Sequence, residues 1–244
     1  MPRPILFASC YQLKGIGIVA PIYYFFHYIF LPPSSYHAAD NRLVQISYAK
    51  TLIPTLAIGY LLPVIGMYSP SFSPNTRQRF NFVWQFFPLW TSILSGLFAR
   101  MVKDTTEEDK VNNVTADLNY LRATYAFVGA VSAAAYLYVY AISPIPLYEI
   151  FLSGIGDPTS PIGSLTEGTG RFLKYEYLFA FVSGALWILL SFWDLKKDDR
   201  LNASWTKILC VMGAMTVGCG PGTMMVLMWG WREEILARKE VQKE

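Results

Sequence analysis

Apolar stretches about as long as a bilayer is thick recur from near the beginning of this chain to near its end, and no other feature limits its fold so sharply. A run of about 20 residues, rising about 1.5 Å per residue, crosses the roughly 30 Å of hydrocarbon. Inside hydrocarbon only a helix or a closed barrel pairs every backbone N–H and C=O. Helical spans are therefore expected over residues 15–31, 51–68, 80–99, 123–142, 174–192 and 205–231. Composition points the same way. The 244 residues are 53% hydrophobic and 15% charged, against about 25% charged in soluble domains, and the mean hydropathy is +0.32. The expected fold is an all-α integral membrane protein, a bundle of six transmembrane helices forming a single polytopic domain over residues 1–244.

The rest of the composition removes whole classes of function. A net charge of +3, with no basic run interleaved with aromatic rings, gives no footprint for nucleic acid. Cys10, Cys210 and Cys219 lie in or beside apolar segments without CxxC spacing, and they read as small apolar residues. With His27 and His37 the only histidines, a histidine-rich metal site is not expected, nor is any other cofactor. The N-terminus lacks the pattern of a cleaved signal peptide, so the first span is expected to act as the insertion signal. Six spans put both termini on one side. The flanking basic residues then divide ten against ten, a balance that sets no orientation.

Polar residues within this apolar background mark the candidate sites. After an aromatic helix end at Tyr23 to Tyr28 and a break at Pro32 and Pro33, a short connection carries His37, Asp40, Asn41 and Arg42. Such a cluster between two spans is costly unless exposed or used. Pro54 and Pro63 bend the second span. In the third, Ser92 and Gly96 stand four apart, a spacing that suits close helix packing. Residues 99–122 hold Asp104, Glu107, Glu108, Asp109 and Asp117 among basic residues, the composition of a solvated loop. Tyr125, Gly129, Ser132, Tyr136 and Tyr140 form one stripe of the fourth span, which is expected to face protein or a pocket. The connection over 143–172 is rich in Gly, Pro and Ser and includes LYEIFLSG, a short interfacial helix capping one membrane face. On the fifth span Glu176 and Asp194 are 18 residues apart, which is five helical turns of about 27 Å, so both share a face with Ala180, Ser183 and Trp187. Gly218 and Gly222 in the last span make a GxxxG pair, which reads first as packing.

Topology sorts the acids by side. Asp40, Asp104, Asp117 and Asp194 emerge on one face, with His27, Trp193 and Trp205 near the same level, while Glu149, Asp157, Glu167 and Glu176 belong to the other. Carboxyls above an apolar, aromatic shaft suit acid-initiated chemistry on a lipid-like polyene. Burial lifts a carboxyl from about 3.9 by about 3 to 5 units, which makes it a competent proton donor. Aromatic faces stabilise the resulting carbocations by about 0.5 to 2 kcal/mol per contact. Asp40 is the first candidate acid, Asp194 the second and Asp104 the next. His27, Arg42, Tyr136 and Trp187 are candidate substrate contacts, with Arg42 either orienting Asp40 or holding the polar head of the substrate.

The blocks YHAADNRLVQISYAKTLIPT, WQFFPLWTSIL and VKDTTEEDKVNNVTADLNYLR resemble, in wording and order, the fungal membrane-bound terpene cyclases of the ascofuranone and macrophorin type. The resemblance implies protonation of the terminal epoxide or olefin of a farnesylated aromatic or quinone meroterpenoid, followed by cyclisation of its prenyl chain. It also implies an endoplasmic reticulum location, a prenylated substrate and the bilayer as partners, and a pathway epoxidase and prenyltransferase nearby. The paxilline-type cyclases, whose acidic helix-end pattern is not seen in this sequence, stay open as a family-level alternative. Two other readings stay open: a noncatalytic membrane adaptor and a sterol-isomerase-like protein. The absence of an inverted repeat lowers a transport reading.

Overall fold

The computed structural model describes residues 4–30, 42–155, 159 and 161–238. His37, Asp40 and Asn41 lie outside the described residues. Within them every regular element is a helix: α1 (Pro4–Lys14), α2 (Ile16–Phe30), α3 (Ile46–Leu56), which passes through a π-helical turn (Ala57–Leu61) into α4 (Leu62–Tyr68), α5 (Pro74–Gln85), α6 (Phe87–Met101), α7 (Thr106–Asn112), α8 (Leu118–Ile142), α9 (Leu147–Leu152), α10 (Leu165–Lys197), α11 (Trp205–Cys219) and α12 (Pro221–Arg238). Packing divides the chain into two units, residues 1–12 with 33–127, and residues 13–32 with 128–244.

Among the described residues three stretches are long and apolar enough to cross a membrane: Ile46–Tyr68, Leu118–Ile142 and Leu165–Lys197. A fourth joins them if α5 and α6, bent by 67°, count as one span. Six long spans are not shown among the described residues; Ile16–Phe30 and Trp205–Cys219 are shorter apolar helices. The first expected span is the 15-residue α2, about 22 Å long. The third breaks at Phe86, next to Pro88 in the first turn of α6, because proline has no N–H and its ring displaces the preceding turn. Trp90 Nε1 donates to the Val83 carbonyl at 2.9 Å, pairing an oxygen at that break.

In the first unit, Ile46–Tyr68 packs along α5 and α6. The π-turn lies just before Pro63, so the widened register takes up the missing donor that the sequence predicts as a bend. Two glycines permit the approach. A Cβ on Gly59 would come within 2.9 Å of Thr91, and one on Gly66 within 2.5 Å of the Phe80 ring. Gly96, expected to pack closely, has open space around it.

The second unit is built on α10. Contacts with α2 ascend both chains together, Gly17 with Glu176, Tyr24 with Gly184 and Trp187, Tyr28 with Asp194, so the two helices run parallel. The expected sixth span over 205–231 is instead two helices folded back on each other. Trp205 at the start of α11 stacks near Trp193 at 6.0 Å, Gly222 at the start of α12 faces Phe181, and Trp231 near the end of α12 is back against Phe192 at 5.1 Å. The turn is made by Gly220 at φ +88, a conformation that a residue with a Cβ rarely adopts. Ile188 and Phe192 of α10, Ile208 and Met212 of α11, and Met224 and Met228 of α12 form one buried core. Three members of the polar stripe of α8 meet the α11–α12 pair, Gly129 at Leu227, Ser132 at Gly222 and Tyr136 at Gly220, while Tyr140 is 67% exposed. Close approach comes from Gly222 and from Gly184, which meets Met225; Gly218 is open. Lys174 holds the end of α9 by donating to the Glu149 and Ser153 carbonyls at 3.1 and 2.9 Å.

Candidate functional site

One helix face of α10 organises the second unit's polar groups. At its lower end Glu176 accepts the Gly17 N–H at 2.8 Å, where α2 begins after Gly15, whose φ is +93. A carboxylate on unpaired first-turn N–H groups is the favourable sign for a helix N-terminus. Three turns on, Trp187 Nε1 donates to His27 Nδ1 at 3.3 Å. That bond requires Nδ1 to be an acceptor, so the neutral ring carries its proton on Nε2. Two further turns on, the Tyr28 hydroxyl donates to Asp194 Oδ1 at 3.2 Å. The common face expected for Glu176, Trp187 and Asp194 is therefore the face that meets α2.

Aromatic rings fill the space between those levels. Trp187 stacks with Trp229 of α12 at 4.3 Å and with Tyr24 at 5.0 Å, and the His27 ring stands edge-on to both tryptophans. The Arg232 guanidinium lies 4.5 Å from the centre of the Trp229 ring and pairs with Glu233 at 2.6 Å. Arg232 is 8% exposed, and its charge reaches both His27 and Asp194. The result is a layered column, Tyr24, Trp187, Trp229, Arg232, two turns of α10 before the hydrogen-bonded carboxyl of Asp194. Ser183, on the same helix, instead bonds back to the Phe179 carbonyl at 2.6 Å.

Tyr136 belongs elsewhere in this unit. Its hydroxyl donates to the Val217 carbonyl at 3.1 Å and its ring packs on Gly220, so it supports the turn between α11 and α12.

The first unit contains a second polar cluster, built around the N-terminus of α3. Asp117, buried just before α8, accepts the Val44 N–H at 2.8 Å. Thr106, also buried, accepts the Ile46 N–H at 2.9 Å and donates its own hydroxyl to Asp104. Asp104 also accepts from Gln45 Nε2 at 2.5 Å. These side chains do for α3 what its N-cap residue Gln45 does not. The hydrogen bonds from Thr106 and Gln45 hold the Asp104 carboxyl below its ordinary range, so at neutral pH it is an acceptor and not a proton donor. Burial pushes Asp117 the other way, against the Val44 N–H and the charge of Arg42. Among the described residues Arg42 thus acts on Asp117.

Sequence reasoning named His27, Trp187 and Asp194, and these share one face of the second unit. It missed Trp229, Arg232 and the hydroxyl of Tyr28. Arg232 left a signal, a cation directly following the apolar run VLMWGW. In the first unit, Thr106 and Gln45 carried no signal at all, since their roles exist only once α3 meets the loop after α6.

A family model described as the CtvD domain matches residues 3–237. The FAD-dependent monooxygenase anuJ of Penicillium roqueforti is 36% identical over 238 residues, which cover 93% of this chain and 28% of that protein. The FAD-dependent monooxygenase BOA8 of Botryotinia fuckeliana is 32% identical, covering 99% of this chain and 31% of its own length. The terpene cyclase ascI of Acremonium egyptiacum is 26% identical over 196 residues, 75% of this chain and 50% of that protein. The chain thus spans about three tenths of the length of the monooxygenase-named relatives and half that of the cyclase. No solved structure matches.

Proposed function

Since this chain belongs to the CtvD domain family, we propose that it is a membrane-embedded terpene cyclase acting on a farnesylated aromatic or quinone meroterpenoid in the endoplasmic reticulum. The observation that carries the reading is the Asp194 and Tyr28 pair, two turns of α10 beyond the aromatic column of the second unit. Tyr28 occupies one oxygen of Asp194 and leaves the other for a transferable proton. Asp194 gives that proton to the terminal epoxide oxygen or olefin carbon of the substrate. The positive charge then passes along the prenyl chain as rings close, and a proton is lost at the end. Aromatic faces near the path stabilise the cation by about 0.5 to 2 kcal/mol each. Tyr24 and Trp229 already stack on Trp187, so its role in this scheme is to hold α2, α10 and α12 in register more than to meet the cation.

Names of the longer relatives favour one other reading, a noncatalytic membrane module that accompanies flavin chemistry carried elsewhere in such proteins. The described residues contain helices and no strand, so they do not form the βαβ frame of a dinucleotide site. Flavin chemistry therefore has no frame of that kind within this segment. A single assay separates the readings. Microsomes expressing the chain are given a farnesylated phenol carrying a terminal epoxide, and in parallel its olefin. Cyclisation yields a ring-closed isomer of unchanged mass, whereas a noncatalytic module leaves the substrate intact.

A further inference from the structure

We propose that α11 and α12 form a re-entrant hairpin, entering and leaving the membrane on the side where α10 ends, and that this hairpin, not a sixth crossing, brings Trp229 onto Trp187 and carries Arg232 to the level where α10 ends. The proposal rests on the geometry of the second unit and not on the cyclase reading. Depth can be measured along α10 as on a ruler. The hairpin starts beside Trp193, where Trp205 stacks and Lys196 Nζ donates to the Ala203 carbonyl at 2.5 Å. It turns at Gly220, where Gly222 faces Phe181, and it returns through Met225 at Gly184 and Trp229 at Trp187 to Trp231 at Phe192. From residue 193 to residue 181 is twelve steps, about 18 Å, well short of the roughly 30 Å hydrocarbon thickness. Helix α10 continues another 16 residues beyond that level, about 24 Å, to its start at Leu165.

The turn pairs its free backbone groups at that depth. Helix ends buried away from water need partners for their free groups. Tyr136 donates to the Val217 carbonyl at the end of α11, and Thr223, 3% exposed, donates to the Gly129 and Cys219 carbonyls at 3.3 and 2.9 Å. Pro221 opens α12 where a missing N–H costs nothing. The arrangement explains why a buried arginine stands so near the end of an apolar run. It lies on the return arm, level with the end of α10 where Asp194 sits.

The test is accessibility labelling of the full chain in sealed microsomes, which needs no turnover. Cys10, Cys210 and Cys219 are changed to Ala, and single cysteines are placed at Gly163→Cys, at Gly218→Cys, at Asn202→Cys, or appended after Glu244. A membrane-impermeant maleimide is applied before and after permeabilisation. The expected result is that the Asn202 and C-terminal cysteines react under the same condition, the Gly163 cysteine under the opposite one, and the Gly218 cysteine is not labelled from the Gly163 side. A C-terminal cysteine that reports together with Gly163 makes residues 205–231 one crossing and overturns the proposal. So does labelling of Gly218→Cys from the Gly163 side, which makes α11 a full crossing, and so does a common side for Gly163 and Asn202, which removes α10 as a span.

Discussion

Among single residues, Asp194 and Asp104 are both carboxylates that the sequence offers as acids, and their surroundings separate them. Asp194 carries one hydroxyl donor, from Tyr28 of α2. Changing it to Asn keeps shape and hydrogen bonding but removes the transferable proton, so turnover is expected to fall about 10² to 10⁴-fold at equal membrane expression and unchanged helicity. A rate within a few-fold of wild type would exclude it as the donor. Asp104 is instead a cap. Its folded value is held down, so the stability it contributes is complete above the ordinary carboxylate range of about 4 and is lost as pH falls through that depressed value. The thermal midpoint of Asp104→Asn in detergent should lie below wild type at neutral pH, and the two should converge in acid. Thr106→Val leaves the buried Ile46 N–H without an acceptor and should cost about 1 to 3 kcal/mol at any pH.

At the scale of elements, breaks matter as much as helices. The chain interrupts its apolar runs at Phe86, through the π-turn at Ala57–Leu61, and at Gly220. Each has a local cause, Pro88, Pro63 and a positive φ. The last is the most consequential, because it decides whether Trp229 meets Trp187 or lies a helix length away. Gly220→Ala strains a backbone region that glycine almost alone occupies, at about 1 to 3 kcal/mol, and it places a Cβ 2.7 Å from the Tyr136 ring. The variant should unfold at lower temperature in detergent. Adding Tyr136→Ala should recover only the part due to contact, since the backbone term stays; full recovery would show that φ at 220 is not under constraint.

For the whole molecule, the apolar helices set where it lives. Three or four of them are long enough to span, so the protein should stay in the membrane pellet after alkaline carbonate extraction, and release into the supernatant would contradict the membrane reading. That much, together with the all-helical class and the family, was legible in the sequence, because the bilayer imposes a length and a hydropathy that a one-dimensional pattern can carry. The face shared by Glu176, Trp187 and Asp194 was legible as well, since helical spacing is local. Other features were not. Ten residues of apolar sequence look alike whether they continue a helix or return along it, and only packing against α8 and α10 turns residues 205–231 into a hairpin. The same holds for Asp104 and Asp117. Charge and position marked both as acids, but whether a carboxylate donates a proton or caps a helix depends on which N–H groups reach it. Thr106 reaches Asp104 locally, from two residues away, but Val44 is brought to Asp117 and Gln45 to Asp104 from distant segments, which only the tertiary structure does.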